Sequence, residues 1–212
     1  MAEAGLRLDH VRINLRGRAL ISLDTLIRPG EVTTVMGPSG SGKSSLLALV
    51  TGTLAPEFET AGQVRIDGHD LSGLRPEARR IGILFQDHLL FPHLSVGENL
   101  AFGLHPRIEG RAARAARIGA ALSEVGLAGF ADRDPATLSG GQRARVALMR
   151  MLLSEPRAVL LDEPFSGLDA ALRAQIRAQV LDHVRQQRLP CLMVTHDLED
   201  AQAAGGPILR VG

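Results

Sequence analysis

The segment Gly37–Ser44 fits the pattern G-x-x-x-x-G-K-[ST], in which consecutive backbone N–H groups surround the phosphates of a nucleotide. Its glycines allow positive φ angles and a close approach to an anion, and the N-terminus of the following helix adds a favourable potential. The lysine is a point charge for the outer phosphates, and the serine hydroxyl is a ligand for Mg²⁺. The sequence predicts a phosphate loop formed by Gly37, Pro38, Ser39, Gly40, Ser41, Gly42, Lys43 and Ser44.

Lys43 is the only lysine among the 24 lysine and arginine residues of the chain. All the other lysine or arginine positions are arginines, which indicates that a guanidinium group cannot replace the ammonium group at position 43. A compact ammonium group fits inside a tight backbone loop around phosphate, whereas a planar guanidinium fork does not. The composition therefore favours a phosphate loop over a glycine-serine turn that carries an incidental lysine.

A second glycine-rich segment, Leu138–Gln142, precedes a predicted helix over Arg143–Leu153. A serine hydroxyl, two glycine N–H groups and the helix dipole converge there, and this combination favours anion binding. An ordinary helix N-cap explains the serine equally well. With a phosphate loop in the same chain, the segment requires an explanation beyond capping.

Polar side chains follow three apolar stretches that are typical of buried strands. The stretch Ala158–Leu161 is followed by Asp162 and Glu163, and two other stretches end before Gln86 and His196. Ligands of open α/β sheets bind beyond the carboxyl ends of the strands. Because neighbouring residues on a strand point in opposite directions, one carboxylate can hold Mg²⁺ while the other addresses a water molecule near the terminal phosphate. A lone histidine at a strand end is usually structural, so the residue type alone does not assign His196 a role.

Hydrophobic periodicity and turn signals place these residues on a mixed α/β chain. The first strands, Leu6–Asn14, Ala19–Ile27 and Gln63–Gly68, predict an antiparallel flap beside the phosphate loop. Further elements are the buried strands Arg80–Gln86, Ala158–Pro164 and Cys191–Thr195 and the helices Arg111–Val125, Arg143–Leu153 and Ala170–Gln186. Capping of the last helix is one explanation for Asp169.

The chain has 212 residues, a formal net charge of +1 and a single cysteine, Cys191. The near-neutral charge gives no electrostatic case for nucleic acid as the main partner, and one cysteine excludes an internal disulfide framework. We find no signal peptide and no run of ~18 apolar residues, so a membrane role requires a partner. The apolar segment Leu89–Leu94 is either a docking surface or part of the core.

In their order along the chain, these motifs resemble those of the ATP-binding cassette (ABC) ATPases that drive transporters. Gly37–Ser44 is similar to the Walker A loop, and Ser45 stands where the family mostly has a threonine that meets the α-phosphate. The other matches are Gln86 (Q-loop), Leu138–Gln142 (signature), Val159–Glu163 (Walker B and catalytic glutamate), Ser166–Asp169 (D-loop) and His196 (switch histidine).

The resemblance implies a P-loop NTPase of the α/β class, with a RecA-like, mostly parallel sheet, an antiparallel β flap and a helical subdomain. It further implies that residues 1–212 form a single ABC ATPase domain. The core with its flap would comprise residues 1–87 and 157–212, and the helical signature subdomain would comprise residues 88–156.

The resemblance also implies a mechanism that two chains share. ATP would lie on the phosphate loop of one cassette and be capped by the signature of the other in a head-to-tail homodimer. Glu163 would be the base for water attack, and His196 would stabilise the transition state. ATP and Mg²⁺ are the implied cofactors. The remaining implied roles are Mg²⁺ binding by Ser44, Gln86 and Asp162, catalysis by Lys43 and Gln86, and ATP contacts of the partner chain by Leu138, Ser139, Gly140, Gly141 and Gln142.

The segments Ile81–Gln86, Asp134–Leu148 and Asp162–Phe165 are similar to those of the short importer cassettes of the thiamine-type and Ynj-type group. The segments Phe85–Leu94 and Gly97–Leu100 are similar to those of bacterial importer ATPases in general. In that group this region receives a helix from the permease, which implies permease docking near Gln86–Leu94. A substrate-binding protein outside the membrane and a peripheral, cytoplasmic location on the inner face of the cell membrane are implied as well. An exporter or lipoprotein-release cassette is the closer alternative, and a soluble non-transport cassette is the more distant one.

The chain departs from the family pattern before the phosphate loop. The family usually has an aromatic residue there that stacks on adenine, whereas Ile13–Arg18 contains none. Leu15 or Arg16 would cover the base instead, the latter through its planar guanidinium. The departure leaves the choice between adenine and guanine open, while phosphate binding is unaffected.

Overall fold

The computed structural model describes residues 4–212, and within them the chain forms two β-sheets and seven α-helices. The strands are β1 (Leu6–Leu15), β2 (Arg18–Ile27), β3 (Val32–Met36), β4 (Phe58–Ile66), β5 (His69–Asp70), β6 (Ile81–Phe85), β7 (Ala158–Asp162), β8 (Cys191–Thr195) and β9 (Ile208–Arg210). The helices are α1 (Lys43–Thr51), α2 (Pro76–Arg79), α3 (Val96–Gly103), α4 (Arg111–Glu124), α5 (Gly140–Leu152), α6 (Ala170–Gln186) and α7 (Leu198–Ala204).

Four strands form an antiparallel sheet in the order β2-β1-β4-β5. β1 and β2 are joined by a tight hairpin in which Arg16 and Gly17 both have positive φ angles, of 50° and 75°. Two successive positive φ angles give the turn a twist that matches the strands. β4 begins at Phe58 and not at the predicted Gln63, because it continues to pair with β1 as far as the end of that strand.

The other five strands form a sheet in the order β6-β7-β8-β3-β9, in which β3 runs parallel to β8 and β9, and β7 runs parallel to β8. β3, β7 and β8 are buried along almost their whole length, as expected of central strands covered on both faces. The mostly parallel sheet together with the antiparallel sheet confirms the predicted α/β fold class.

The predicted helices are present, with one shifted start. α6 has the predicted bounds, and α4 ends at Glu124, next to the predicted Val125. α5 begins at Gly140 and not at Arg143, because Ser139 is its N-cap and the two glycines lie in its first turn. No helix in residues 4–212 combines the length and the apolar character needed to cross a membrane.

The chain falls into two compact units. The first holds the chain up to Ile83 with Arg157–Glu163 and Gln179–Gly212, and the second holds Leu84–Pro156 and Pro164–Ala178. Helices α3, α4 and α5 pack together in the second unit. The predicted division into a core and a signature subdomain stays a prediction.

The core of the first unit is a continuous apolar cluster that includes Leu6, Leu8, Ile13, Val35, Leu46, Leu47, Val50, Ile66, Leu160, Leu192 and Val194.

Candidate functional site

The predicted phosphate loop joins β3 to α1 in the first unit. β3 ends at Met36 and α1 begins at Lys43, with Gly42 as N-cap at a φ of 90°. Gly42 has no side chain to cap the helix, and no acidic residue lies in the first turn. The first N–H groups of α1 are therefore available as donors, and the positive end of the helix dipole lies at the loop. This arrangement favours a bound anion.

Gly37, at the start of the loop, is closely enclosed by the end of the chain. A Cβ atom at this position would collide with the carbonyl oxygen of Val211 and would lie 2.6 Å from Oγ of Ser41. The N–H of Val211 donates to the carbonyl oxygen of Met36 at 2.9 Å, so the residue after β9 is fixed beside the loop. Glycine is needed at position 37 for close packing. Sequence reasoning missed this contact, since it joins residues far apart along the chain.

Lys43 lies inside the loop with only 8% of its surface exposed. Its Nζ donates to the carbonyl oxygens of Gly37 at 2.7 Å and Pro38 at 2.9 Å. The neighbouring Ser44 is exposed and Ser45 is half-buried in the first turn of α1. The ammonium group thus lies among the carbonyl oxygens of the loop, at the N-terminus of α1. The first N–H groups of that helix lie at the same loop.

A glutamate-histidine pair lies where β7 and β8 end. Glu163 follows the last residue of β7 with a left-handed φ of 45°, and its N–H donates to the carbonyl oxygen of Val194 at 3.0 Å. Its Oε2 is 2.9 Å from Nδ1 of His196, which directly follows β8. The left-handed backbone, and not alternation along a strand, sets the direction of the Glu163 side chain. Such a conformation costs a residue with a side chain ~1–2 kcal/mol, and strain of this kind clusters at functional sites.

The carboxyl group of Asp162, at the end of β7, lies where its charged form is disfavoured. Its burial and the neighbouring Glu163 carboxylate raise the pKa of Asp162, and the positive charge of Lys43 opposes the shift only in part. The charged form of Asp162 therefore lacks full compensation within the first unit. A carboxylate of this kind gains stability from a bound cation.

The raised pKa of Asp162 predicts how stability depends on pH. The stability from protonated Asp162 is fully present below the unfolded-state pKa and is lost as pH rises through the higher folded-state pKa. At pH 7 the ionised carboxylate is a net cost, so Asp162→Asn is expected to raise the midpoint of thermal unfolding of the nucleotide-free chain. A midpoint that fell at pH 7 would contradict this.

Asp70 provides a control for that measurement, because its pKa is shifted in the opposite direction to that of Asp162. Hydrogen bonds from the hydroxyl group and the N–H of Ser72 lower the pKa of Asp70, so its ionised form is the favoured one. Asp70→Asn should leave the midpoint unchanged or lower it. The comparison separates the loss of an unfavourable charge from a general effect of replacing aspartate by asparagine.

The predicted signature segment forms the N-terminus of α5 in the second unit. The hydroxyl oxygen of Ser139 accepts from the N–H of Gln142 at 3.3 Å, and Oε1 of Gln142 accepts from the N–H of Ser139 at 2.9 Å. This capping box leaves the N–H groups of Gly140 and Gly141 as first-turn donors without a partner within the helix. A Cβ atom on Gly141 would lie 2.5 Å from Cδ1 of Leu172, so this glycine also permits the close approach of α6. Both explanations from the sequence, capping and anion binding, are compatible with this geometry.

A cavity of about 460 Å³ in the second unit borders the same helix end. Its wall includes Gln86, His88, Gly140 and Arg143. Burial and the nearby Arg143 charge lower the pKa of His88, so the neutral imidazole is favoured there. Asp169 caps the start of α6, since its Oδ1 accepts from the N–H of Leu172 at 3.0 Å.

The structure thus places the predicted site residues in two groups. Lys43 with its loop, Asp162, Glu163 and His196 belong to the first unit. Gln86, the signature segment Leu138–Gln142 and Asp169 belong to the second unit. Each group includes helix N-terminal donors, and the first also holds the carboxylates and the imidazole.

A glycine loop with a buried lysine, beside carboxylates that follow a parallel strand, defines a P-loop nucleotide-binding protein of the α/β class. The profile of the ABC transporter family matches residues 20–166. The chain therefore belongs to the ABC transporter ATP-binding family and is an ATPase.

Individual relatives agree with this assignment. Over 186 residues, 88% of this chain and 85% of the relative, the chain is 48% identical to the uncharacterized ABC transporter ATP-binding protein YnjD of Escherichia coli strain K12. It is 43% identical to the thiamine import ATP-binding protein ThiQ of Vibrio vulnificus strain YJ016, over 87% of this chain and 77% of the relative. It is 44% identical to the sulfate/thiosulfate import ATP-binding protein CysA of Gloeobacter violaceus, over 87% of this chain and 53% of the relative. The predicted resemblance to the thiamine-type and Ynj-type group is confirmed.

Proposed function

We propose that this chain is the motor subunit of a bacterial importer and that two copies close head to tail around ATP. The observation that carries the proposal is the 2.9 Å contact between Oε2 of Glu163 and Nδ1 of His196, in the unit that holds the phosphate loop. Hydrolysis of a phosphate requires a group that takes a proton from water and a group that stabilises developing charge. The names of ThiQ and CysA as import proteins support transport into the cell.

Lys43 and the first turn of α1 would bind the phosphates. The Nζ atom of Lys43 already lies among loop oxygens, so a phosphate would replace the carbonyl oxygens of Gly37 and Pro38 as its acceptor. The remaining loop residues, with the hydroxyl of Ser45, would surround the phosphates with backbone and side-chain donors. Glu163 would then accept the proton of the attacking water, while the neighbouring His196 keeps its imidazole beside that carboxylate.

Ser44 and Asp162, both in the first unit, would hold Mg²⁺, and Gln86 in the second unit stays a prediction from the sequence. The donors of the first unit fit this ion, because hydroxyl and carboxylate oxygens are hard ligands and the charge of Asp162 lacks full compensation. When bound, Mg²⁺ would neutralise charge on the phosphate oxygens.

A second copy of the chain would complete the site. The helix N-terminus at Ser139, Gly140 and Gly141 has first-turn donors that suit a phosphate. The phosphate loop of the same chain already has the N-terminus of α1 for its phosphates, so the second helix N-terminus would serve the nucleotide of another chain. One phosphate loop and one signature per chain give two equal sites in a two-fold symmetric dimer. Leu138 and Gln142 would hold the signature in place, and Asp169 would lie at the dimer interface.

The segment Gln86–Leu94, here called the docking segment, would receive an integral-membrane permease. Leu89 is 57% exposed, and Phe102, which stacks edge-on against Phe91 at 4.7 Å between ring centroids, is 70% exposed. Exposed leucine and phenylalanine side chains of this kind mark interaction surfaces. The chain would lie on the inner face of the cell membrane, and a substrate-binding protein on the outer side would deliver the substrate.

The test of the transport role is co-purification. The tagged chain, expressed in its native host, is expected to purify with an integral-membrane protein in detergent. A chain that hydrolyses ATP but purifies alone would favour a soluble, non-transport cassette. Uptake or release of substrate in vesicles made from the complex would decide between an importer and an exporter.

Weak discrimination between ATP and GTP is expected, because no aromatic residue precedes the phosphate loop in β1. Stacking on an aromatic ring is worth ~0.5–1.5 kcal/mol for either purine, so its absence weakens the binding of both nucleotides. We expect kcat/KM values for ATP and GTP that lie within about tenfold of each other, because the hydrogen bonds to the phosphates are the same for both. Leu15→Phe, at the end of β1 opposite Phe58, should raise the value for ATP by a few-fold. A preference for ATP above 100-fold in the unaltered chain would show that Leu15 or Arg16 recognises adenine by other means.

A further inference from the structure

Side chains, and not regular secondary structure, hold the docking segment in place. Residues 86–95 form neither helix nor strand. Asn99 in α3 is fully buried, and its Nδ2 donates to the carbonyl oxygens of Phe91 at 3.1 Å and Leu94 at 3.2 Å. Its Oδ1 accepts from the N–H of Phe91 at 2.8 Å. One amide group thus fixes the C-terminal half of the segment.

Arg150 in α5 fixes the other half. Its guanidinium group donates to the carbonyl oxygens of Leu89 at 2.8 Å and His88 at 3.2 Å, and it reaches Oδ1 of Asn99 at 3.5 Å. It also lies 5.3 Å from the centroid of the Phe91 ring. Burial lowers the pKa of Arg150. Since the guanidinium group of Arg150 donates to the carbonyl oxygens of His88 and Leu89, it fixes the position of the backbone at these two residues.

Leu89 is the strained residue of the segment. Its φ is 45°, in the left-handed region that a leucine rarely adopts, and its side chain is 57% exposed. Strained backbone persists only where neighbouring contacts determine it. The hydrogen bond from Arg150 to the Leu89 carbonyl oxygen is such a contact.

We propose that Arg150 is a positioning residue that holds Leu89 in its left-handed conformation and joins the docking segment to the signature helix. α5 begins at Gly140, directly after Ser139, and carries Arg150 in its last turn. Because the helix is continuous, displacement of Leu89 by a partner moves the helix that begins at the signature. The identity of that partner, an integral-membrane permease, rests on the proposed function. The hold of Arg150 on Leu89, here called the clamp, does not.

Hydrogen-deuterium exchange of the full chain, followed on peptides that cover residues 86–95, tests the clamp. Arg150→Met should speed exchange in these peptides by at least tenfold, because the carbonyl oxygens of the segment lose the guanidinium group that donates to them, and Arg150→Lys should give a smaller increase. Leu89→Asn, which tolerates the left-handed region, should restore slow exchange at least in part in the Arg150→Met background. Unchanged exchange in both Arg150 variants, or no recovery with Leu89→Asn, would overturn the proposal.

Arg145 provides the matched control. It lies on the same helix and also donates to backbone carbonyl oxygens, those of Val125 at 2.9 Å and Gly141 at 3.3 Å, but it does not reach the docking segment. Arg145→Met should leave exchange at residues 86–95 within twofold. An equal increase with Arg145→Met, or an equal increase at residues 140–152 with Arg150→Met, would show general loosening and refute the clamp. ATP hydrolysis, measured on the same samples, tests the proposed function separately.

Discussion

Replacing Glu163 by glutamine is expected to reduce ATP hydrolysis by about 10²- to 10⁴-fold, the range over which a positioned general base contributes. Glutamine keeps the size and the hydrogen-bonding capacity of the side chain, but it cannot take a proton from water. Nucleotide binding should survive, because the phosphate loop is unchanged. The variant should therefore accumulate an ATP-bound dimer that size-exclusion chromatography detects, with little release of phosphate.

Glu155→Gln is the matched control for this substitution. Glu155 shares the left-handed backbone, with a φ of 52° against 45° for Glu163, and its Oε1 pairs with Arg107 at 2.6 Å. Hydrolysis should stay within twofold of the parent in this variant. A Glu163→Gln chain that turned over ATP at the parent rate would exclude Glu163 as the base.

Lys43→Ala is expected to weaken ATP binding by about 10- to 100-fold, since hydrogen bonds to a charged group are worth ~1.5–3 kcal/mol. Hydrolysis should fall further, by about 10²- to 10³-fold, because the same charge stabilises the transition state. The measurements are titration with a fluorescent ATP analogue and release of phosphate.

Lys43→Arg separates charge from shape. Lys43 is 8% exposed and its Nζ lies 2.7 Å from the Gly37 carbonyl oxygen, so we expect a planar guanidinium group to fit poorly in its place. We expect the arginine variant to bind ATP no better than the alanine variant. Binding at the parent affinity would mean that positive charge alone is required. The same burial makes Lys43 a slow target for amine reagents, so substitution is a sharper probe than chemical labelling.

Much of the fold follows from local patterns in the sequence. The continuous apolar runs of β7 and β8 predicted buried strands, because burial on both faces acts on every residue of such an element. The turn at Ser166–Asp169 marked the start of α6. The start of α5 was predicted wrongly at Arg143. Glycine has low helix propensity, but the capping box between Ser139 and Gln142 stabilises a first turn that contains two glycines.

The residue types of the site were predictable, and the contacts that position them were not. The glycine loop, its lysine and the polar strand ends carry a local signature. By contrast, the left-handed conformation of Glu163 follows from its place at the end of β7, and the packing of Val211 on Gly37 follows from the pairing of β9 with β3. The clamp of Arg150 on Leu89 likewise joins residues that no local pattern relates.

The central claim, that the phosphate loop of one chain works with the signature of another, is tested most directly by mixing two inactive variants. Lys43→Ala removes the phosphate loop function and keeps the signature, while Ser139→Arg blocks the signature and keeps the loop. Each variant alone should be inactive. Random mixing would form one intact site in half of the dimers and restore about a quarter of the parent ATPase activity per chain. Activity of Ser139→Arg alone at the parent rate, or no recovery in the mixture, would contradict a site shared between two chains.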